Sequence, residues 1–302
     1  MKAVVLHEYG GPDKLKYEDV ADPVAGDGEV LVRVTASSVN PVDYKLRSGK
    51  MKDRMPLELP AILGRDISGI VRELGAGAGG FAVGDKVMAL GNNAYAELVV
   101  VKAEQLTHVP EKLDLVEAAA LPLVTLTGEQ LITRGTKIQQ GQTVLVAGAA
   151  GNVGRSAVWT AKKAGAVVIA GVKKSQKKEA AEIGADQVLA LDDATAMEKL
   201  GLIDAVADTV GGETAEMLVG KVKQGGVFAS VLGPPGNAKM HPTVKIEAIQ
   251  VAPDAGMLRT LAEDVVAGRL VIPIDRMIPL ADAGEGQAAA EKGGIGKVLL
   301  LA

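Results

Sequence analysis

The chain has 302 residues, 48% of them hydrophobic, and a formal net charge of −4, which suits two globular domains of moderate size. The acidic balance gives no basic footprint, so we expect no nucleic-acid partner and no anionic membrane partner. The sequence contains no cysteine, which excludes disulfides, thiolate nucleophiles and thiolate zinc sites. No stretch approaches the roughly 18 apolar residues of a membrane span, and the first residues lack a signal-peptide pattern, so we expect a cytoplasmic protein.

Short apolar runs separated by glycine, proline and aspartate fill the first hundred residues. This spacing predicts an all-β unit, with strands at residues 3–6, 30–35, 67–73, 86–90 and 95–101. From about residue 115 the chain alternates alanine-rich helical segments with buried strands, predicted at residues 143–147, 167–172, 187–191, 205–209 and 227–232. Strands that alternate with helices predict βαβ units and a parallel sheet.

The tail of the chain contains a predicted helix at residues 255–267 and strand-like pieces that end at 297–301. We expect this tail to return to the first domain. The prediction is therefore an α/β protein in which residues 1–117 and 255–302 form one domain. Residues 118–254 form the other, a dinucleotide-binding domain.

A glycine-rich turn follows the buried strand at 143–147, where residues 142–154 read QTVLVAGAAGNVG. Ala149, Gly151 and Gly154 form an A-x-G-x-x-G variant that opens a predicted helix. Glycines in such a turn let the backbone approach a pyrophosphate, and the helix N-terminus offers amides and a positive dipole. The context favours dinucleotide binding over a plain structural turn.

The end of the second predicted strand distinguishes between the two nicotinamide cofactors. NAD-selective sites usually carry an acidic residue about 20 residues past the glycines, where it holds the ribose 2′-hydroxyl. Here the strand ends in Gly171, followed two residues later by Lys173, Lys174 and then Lys177. Lysines can neutralise a 2′-phosphate, which predicts NADPH; the alternative is a solvated, basic start to a helix.

Several segments together resemble the zeta-crystallin-like quinone oxidoreductases, a zinc-free branch of the medium-chain dehydrogenase/reductase superfamily. The resemblance implies a GroES-like β-barrel catalytic domain, a Rossmann domain with a doubly wound parallel sheet, and a homodimer. It covers nearly the whole chain and lies in MKAVVLHEYGG (1–11), SVNPVDYKLRSG (38–49), LGRDISGIV (63–71), VGDKV (83–87), EAAALPLVTLT (117–127), the glycine turn and DTVGG (208–212).

The zinc alcohol dehydrogenases of the same superfamily provide a negative test. Their catalytic metal is held by cysteine and histidine at positions that correspond to Asn40 and Arg65 here. The three histidines of the chain, His7, His108 and His241, have no ligand spacing. We therefore predict no metal.

The resemblance also implies roles for individual residues. It places Asn40 and Thr127 near the nicotinamide, and Ala150, Gly151, Asn152 and Val153 at the pyrophosphate. Gly171, Lys173, Lys174 and Lys177 correspond to the region that meets the 2′-phosphate, and Val210, Val231 and Leu232 to the nicotinamide half of the cofactor. A tyrosine that stacks beside the adenine in some relatives corresponds to Leu191.

Without a Lewis acid the substrate must accept hydride directly, which indicates quinones and α,β-unsaturated carbonyl compounds. Asn40 and Tyr44 are the catalytic candidates. Tyr44 is the nearest candidate for the proton that an enolate needs, although solvent could supply it and a structural role is open. Asp43 is expected to cap a turn or helix.

Two alternative functions and one assembly prediction remain. The alternatives are an enoyl-thioester reductase and an NADPH-binding sensor or structural protein without turnover. Residues 243–251 (TVKIEAIQV) alternate as an edge strand of the second domain's sheet. Because an exposed edge needs protection, we expect it to pair with its symmetry mate in a homodimer.

Overall fold

Residues 1–294 and 296–302 are described by a computed structural model. Contacts divide the chain into two units. The first unit comprises Met1–Leu123, Ala252–Gly268 and Ile272–Ala302, and the second comprises Val124–Val251 and Arg269–Val271. Among the described residues, no helix has both the length and the apolar character needed to cross a membrane.

The first hundred residues fold mainly into strands because runs of β-branched residues are interrupted by turn-forming glycine, proline and aspartate. These strands are β1 (Lys2–Leu6), β2 (Leu15–Asp19), β3 (Glu29–Ser38), β4 (Ala61–Ile62), β5 (Asp66–Leu74), β6 (Lys86–Leu90), β7 (Leu98–Lys102) and β8 (Leu106–His108). Helix α1 (Pro41–Arg47) follows β3 and begins with a proline, which suits the first helical position because no amide hydrogen is needed there.

The middle of the chain alternates helices and strands. Its elements are α2 (Pro122–Gln130), a π-helical segment (Leu131–Thr136), β9 (Thr143–Ala147), α3 (Asn152–Lys163), β10 (Val167–Val172), α4 (Lys177–Ala180), β11 (Gln187–Ala190), α5 (Ala194–Lys199), β12 (Ile203–Asp208), α6 (Gly212–Val219), β13 (Val222–Ser230) and β14 (Lys245–Ala248). The tail contains α7 (Ala255–Val266), β15 (Ile274–Pro279), α8 (Ala283–Lys292) and β16 (Lys297–Leu301).

The first unit contains two sheets. A seven-stranded sheet has the order β15-β16-β3-β5-β6-β8, with β7 paired to β3, and a small sheet has the order β2-β1-β4. The last strand, β16, returns from the end of the chain and pairs antiparallel with β3 through Leu299 and Ser38. The end of the chain therefore pairs with the large sheet of the first unit.

The second unit contains one parallel sheet of order β11-β10-β9-β12-β13-β14. Numbered from β9, this is the doubly wound order 3-2-1-4-5-6, and ligands bind such sheets outside the carboxyl ends of the strands, where the order reverses. In β9, Val144 and Val146 pack into the core on one face of the sheet, while Leu145 and Ala147 pack into the core on the other. Burial on both faces explains the continuous apolar run of this strand.

The predicted strands agree with the structure apart from their ends. The strand predicted at 95–101 begins at Leu98, because the backbone of Tyr95 instead bonds to Leu63 and Val4. The short strands β2, β4 and β8 were not predicted, since two to five residues carry too little periodicity to identify a strand.

Candidate active site

The glycine turn of the second unit lies between β9 and α3, at the carboxyl end of the sheet. Gly148 has φ +76°, a left-handed conformation that favours glycine. Its amide and that of Ala149 donate to the Gly171 carbonyl at 2.9 and 3.1 Å, so the turn is tied to the end of β10. No described side chain caps α3, which begins after Gly151. The amides of the first helical turn therefore remain available for an anion.

The three glycines of the turn are needed for different reasons. A Cβ at Gly148 would lie 2.4 Å from the Thr209 hydroxyl oxygen at the end of β12. A Cβ at Gly154 would lie 2.2 Å from the Gly148 carbonyl oxygen. At Gly151, by contrast, a Cβ would lie within 4 Å of just one atom of the described residues beyond its chain neighbours, the same carbonyl oxygen, at 3.2 Å. Gly148 and Gly154 therefore serve packing, whereas Gly151 leaves open space above the turn.

Helix α2 is fixed against this turn. A Cβ at Gly128 would lie 2.4 Å from the Val153 carbonyl oxygen, so the two helices approach closely only because this position is glycine. The Ser156 hydroxyl donates to the Thr125 carbonyl at 2.7 Å. These contacts place the candidate Thr127 beside the first turn of α3, where it is buried.

The candidates Val210, Val231 and Leu232 lie just past the ends of β12 and β13. Asp208, which is fully buried, fixes both segments. It accepts from the Val210 amide at 2.9 Å and from the Ser230 hydroxyl at 2.7 Å. Val210 and Leu232 are left 45% and 41% exposed, so apolar side chains line the carboxyl edge of the sheet.

The basic segment begins directly after β10. Lys173, Lys174 and Lys177 are exposed, and no described residue forms an ion pair with any of them. A carboxylate that the sequence analysis did not predict lies beside these lysines. Asp192, which follows β11, accepts a hydrogen bond from the Lys174 amide at 2.7 Å. The segment is therefore mainly, but not wholly, basic.

Gly171 and Leu191 pack together below this segment. A Cβ at Gly171 would lie 3.1 Å from two carbons of Leu191 and from one of Leu145. Leu191 is buried in the core on one face of the sheet. Its side chain therefore fills the core, and the structure gives no stacking platform at this position.

The second unit thus fits a dinucleotide. The uncapped helix start, the open volume at Gly151 and the exposed ammonium groups are the features that a pyrophosphate and a 2′-phosphate require.

In the first unit, Asn40 precedes α1 and is fully buried. Its Nδ2 donates to Asp66 Oδ2 at 2.7 Å, and its Oδ1 accepts from Lys297 Nζ at 2.7 Å. An ammonium can only donate and a carboxylate can only accept, so the two neighbours determine the orientation of the amide.

Lys297 and Asp66 form a buried ion pair, with Nζ 3.3 Å from Oδ2 and side chains 2% and 0% exposed. Asp66 also accepts from the Ser38 hydroxyl and, through Oδ1, from the Leu123 amide at 2.6 Å. Burial lowers the pKa of Lys297, and the negative charges of Asp66 and Asp43 oppose that change. No sequence signal identified this pair.

Asp43 confirms its predicted capping role: Oδ2 accepts from the Asn40 amide at 2.8 Å. The Tyr95 hydroxyl donates to the same oxygen at 3.0 Å. Burial raises the pKa of Asp43 to about 7, and the nearby Asp66 adds to the effect.

Tyr44 lies on α1 and is half-buried. Burial, followed by the charges of Glu291 and Asp43, raises the pKa of its phenol. Tyr44 therefore keeps its proton at neutral pH.

The residues of the first unit do not fit a zinc ion. Asn40 and Arg65 occupy the positions that correspond to zinc ligands, and Arg65 Nε donates to the Gly91 carbonyl at 2.7 Å. The carboxylate of Asp66 is already neutralised by Lys297. Within residues 1–294 and 296–302, no three histidine, cysteine, aspartate or glutamate side chains are grouped as metal ligands.

Comparison with known proteins supports this reading of the fold. Residues 26–111 match the alcohol dehydrogenase GroES-like domain, and residues 183–300 match a family described as zinc-binding dehydrogenase. A mouse protein named NAD(P)H oxidoreductase RTN4IP1, mitochondrial, is 30% identical, with the match covering 97% of this chain and 87% of the relative.

Two solved structures resemble the whole chain. The quinone oxidoreductase from Coxiella burnetii is 29% identical, with a TM-score of 0.87 and coverage of 100% of this chain and 99% of the other. A mycobacterial protein solved in complex with NADPH is 27% identical, with a TM-score of 0.86 and full coverage of both chains.

A GroES-like unit joined to a doubly wound unit with a glycine turn at the switch point defines a medium-chain dehydrogenase/reductase fold. The chain belongs to the quinone oxidoreductase family of that superfamily.

Proposed function

We propose that this protein is an NADPH-dependent oxidoreductase that transfers a hydride to a quinone or an α,β-unsaturated carbonyl compound without a metal ion. The observation that carries the proposal is the glycine turn at the switch point of the sheet, with open volume at Gly151. The rest of the proposal concerns which cofactor, which acceptor and which residues.

NADPH is the cofactor because the exposed ammonium groups after β10 suit a 2′-phosphate. The names of the mouse relative and the mycobacterial complex agree with this choice. Lys173, Lys174 and Lys177 would hold the 2′-phosphate beside Gly171. The backbone of Ala150 and of residues 151–153 would hold the pyrophosphate.

Bound NADPH supplies the hydride, and the acceptor takes up that hydride and one proton. Thr127, Val210, Val231 and Leu232 would line the nicotinamide half of the cofactor and exclude water from it. Asn40 is the further candidate that the family resemblance assigns to the nicotinamide. Tyr44 is the proposed proton donor, since its phenol stays protonated at neutral pH.

The proposed acceptor class rests on Asn40 and Arg65, which occupy the positions that correspond to zinc ligands. In zinc-dependent relatives a Lewis acid polarises the substrate. Here the Asn40 amide oxygen already accepts a hydrogen bond from Lys297, and the Asp66 carboxylate forms an ion pair with the same ammonium. A substrate that is electrophilic without help, such as the quinone named for the Coxiella relative, therefore suits this site better than a simple alcohol.

The proposal includes the assembly and the domain roles. β14 is the terminal strand of the parallel sheet, and its Lys245, Glu247 and Ala248 side chains are exposed. Pairing of this edge with its symmetry mate would form a homodimer. Residues 1–117 and 255–302 would act as the catalytic domain and 118–254 as the cofactor domain. A cytoplasmic location remains a prediction that cell fractionation tests.

The test is a panel of quinones, enones and simple ketones, assayed by loss of NADPH absorbance with the purified protein. We expect turnover with quinones or enones, slower turnover with NADH, and none with simple ketones. The Gly151→Val variant serves as the cofactor-binding control. Absence of turnover with every quinone and enone would refute the proposal.

A further inference from the structure

The buried pair of Lys297 and Asp66 has no role in the function proposed above. Replacement of a buried ion pair by apolar side chains is often neutral or stabilising, because two charges must be desolvated. Fold stability alone therefore does not explain why this buried ion pair is present. The position of the pair suggests a functional reason, since β16 places Lys297 beside the end of β3, next to the site candidate Asn40.

Among the described residues, the ammonium of Lys297 bonds to three oxygens: one on Asn40 itself, one on Asp66 and one on Val39. Nζ lies 2.7 Å from Asn40 Oδ1, 3.3 Å from Asp66 Oδ2 and 3.3 Å from the Val39 carbonyl oxygen. An ammonium has three hydrogens to donate, so each can be assigned to one oxygen.

We propose that Lys297 is a positioning residue: together with Asp66, its ammonium fixes the Asn40 amide in one orientation. Lys297 determines where the amide oxygen points, and Asp66 determines where the amide hydrogens point. Without the ammonium, the amide can rotate and the buried carboxylate has no counter-charge. The kinetic part of this inference rests on the proposed NADPH-dependent reduction.

The test compares Lys297→Met with the charge-balanced variant Lys297→Met/Asp66→Asn. The single variant leaves a carboxylate buried without a cation, so it should be less stable than the double variant or fail to fold. The double variant should fold and bind NADPH with a Kd within about threefold of wild type, because the phosphate-binding candidates lie in the second unit. Its kcat should fall roughly 10- to 100-fold, as found when residues that orient active-site groups are removed.

Two further variants separate positioning from general damage. In wild type, Asn40→Ala should lower kcat about as much as the Lys297→Met/Asp66→Asn substitution does. When Asn40→Ala is added to that double variant, kcat should fall by less than about twofold further, because the amide is already misplaced. Val71→Ala, a buried core change in the same unit, should lower stability without changing kcat.

Three results would overturn the inference. They are a double variant with wild-type kcat, an Asn40→Ala loss of equal size in both backgrounds, and a single variant as stable as the double one. Wild-type turnover is measured first: if it is absent, the proposed function fails. The pairing of Lys297 with Asp66 is then still judged from the two unfolding free energies, which need no substrate.

Discussion

Gly151→Val should abolish NADPH binding while leaving the chain folded. Gly151 has φ −75° and ψ 164°, an extended conformation that valine adopts readily. A Cβ there would meet only the Gly148 carbonyl oxygen, at 3.2 Å. The new methyl groups would instead project into the volume above the first turn of α3, where a pyrophosphate approaches the amides.

The expected loss follows from the amides that become inaccessible. Charge-assisted hydrogen bonds contribute roughly 1.5 to 3 kcal/mol each, and the amides of Asn152 and Val153 are the two at the start of α3. Losing both would cost roughly 3 to 6 kcal/mol, which corresponds to a rise in Kd on the order of 10²- to 10⁴-fold. Fluorescence titration measures the Kd. Thermal unfolding with and without NADPH measures folding and binding in one experiment, since about 2.7 kcal/mol of stabilisation is expected for wild type at a hundredfold excess over Kd.

Two control variants test whether the loss of NADPH binding comes from the filled volume above the glycine turn. Gly201 is also an exposed glycine of the second unit, and a Cβ there would have open space around it. The Gly201→Val variant should therefore retain NADPH binding. Gly154→Ala places a Cβ 2.2 Å from the Gly148 carbonyl oxygen, so it should lower the melting temperature of the apo protein. If Gly151→Val still gains stability from NADPH as wild type does, the glycine turn is only structural and the cofactor argument fails.

Four more outcomes are expected. Wild type should bind NADPH more tightly than NADH, and Lys173→Ala/Lys174→Ala should weaken NADPH roughly tenfold or more while leaving NADH unchanged, as measured by titration. Activity should survive exhaustive chelation, and metal analysis should find no stoichiometric zinc. Light scattering at micromolar concentration should report a dimer, and Glu247→Pro at the edge of the sheet should weaken it because proline removes a backbone donor. Asp43 has a folded pKa raised to about 7 from 3.8, so its contribution to stability should decrease as the pH rises between these values. Relative to Asp43→Asn, wild type should lose up to about 1.4 kcal/mol per pH unit from pH 5 to 7 in denaturant titrations.

Each of these expectations has a contradicting result. Equal affinity for the two cofactors, or no effect of the double lysine substitution, removes the basis for NADPH. Zinc that is lost together with activity shows that the first unit holds a metal after all. A monomer means that another feature protects the edge of β14. A stability difference between wild type and Asp43→Asn that does not change with pH means that Asp43 does not titrate in this range.

The fold of the second unit could be predicted because the sequence features that indicate it lie close together along the chain. The apolar run of β9, the glycines after it and the helix that follows are neighbours in sequence, and each has a physical reason to be there. The A-x-G-x-x-G pattern starts at Ala149, and it does not include Gly148, which has the left-handed conformation. A Cβ at Gly148 would also lie 2.4 Å from the Thr209 hydroxyl oxygen, a contact with a distant strand that the local pattern does not indicate.

The buried cluster around Asn40 could not be predicted from the sequence, since its partners come from distant positions. Asp66 and Lys297 are separated by 231 residues, and a single lysine at the start of a C-terminal strand is usually interpreted as an ordinary solvated side chain. The asparagine and arginine at the positions that correspond to zinc ligands predicted only that no metal is bound. The contact of Lys297 with Asp66 and Asn40 depends on β16 pairing with β3, which brings an ammonium to a place where two polar side chains would otherwise be buried without a cation. The orientation of the Asn40 amide is therefore determined by a long-range strand pairing, which no local sequence pattern indicates.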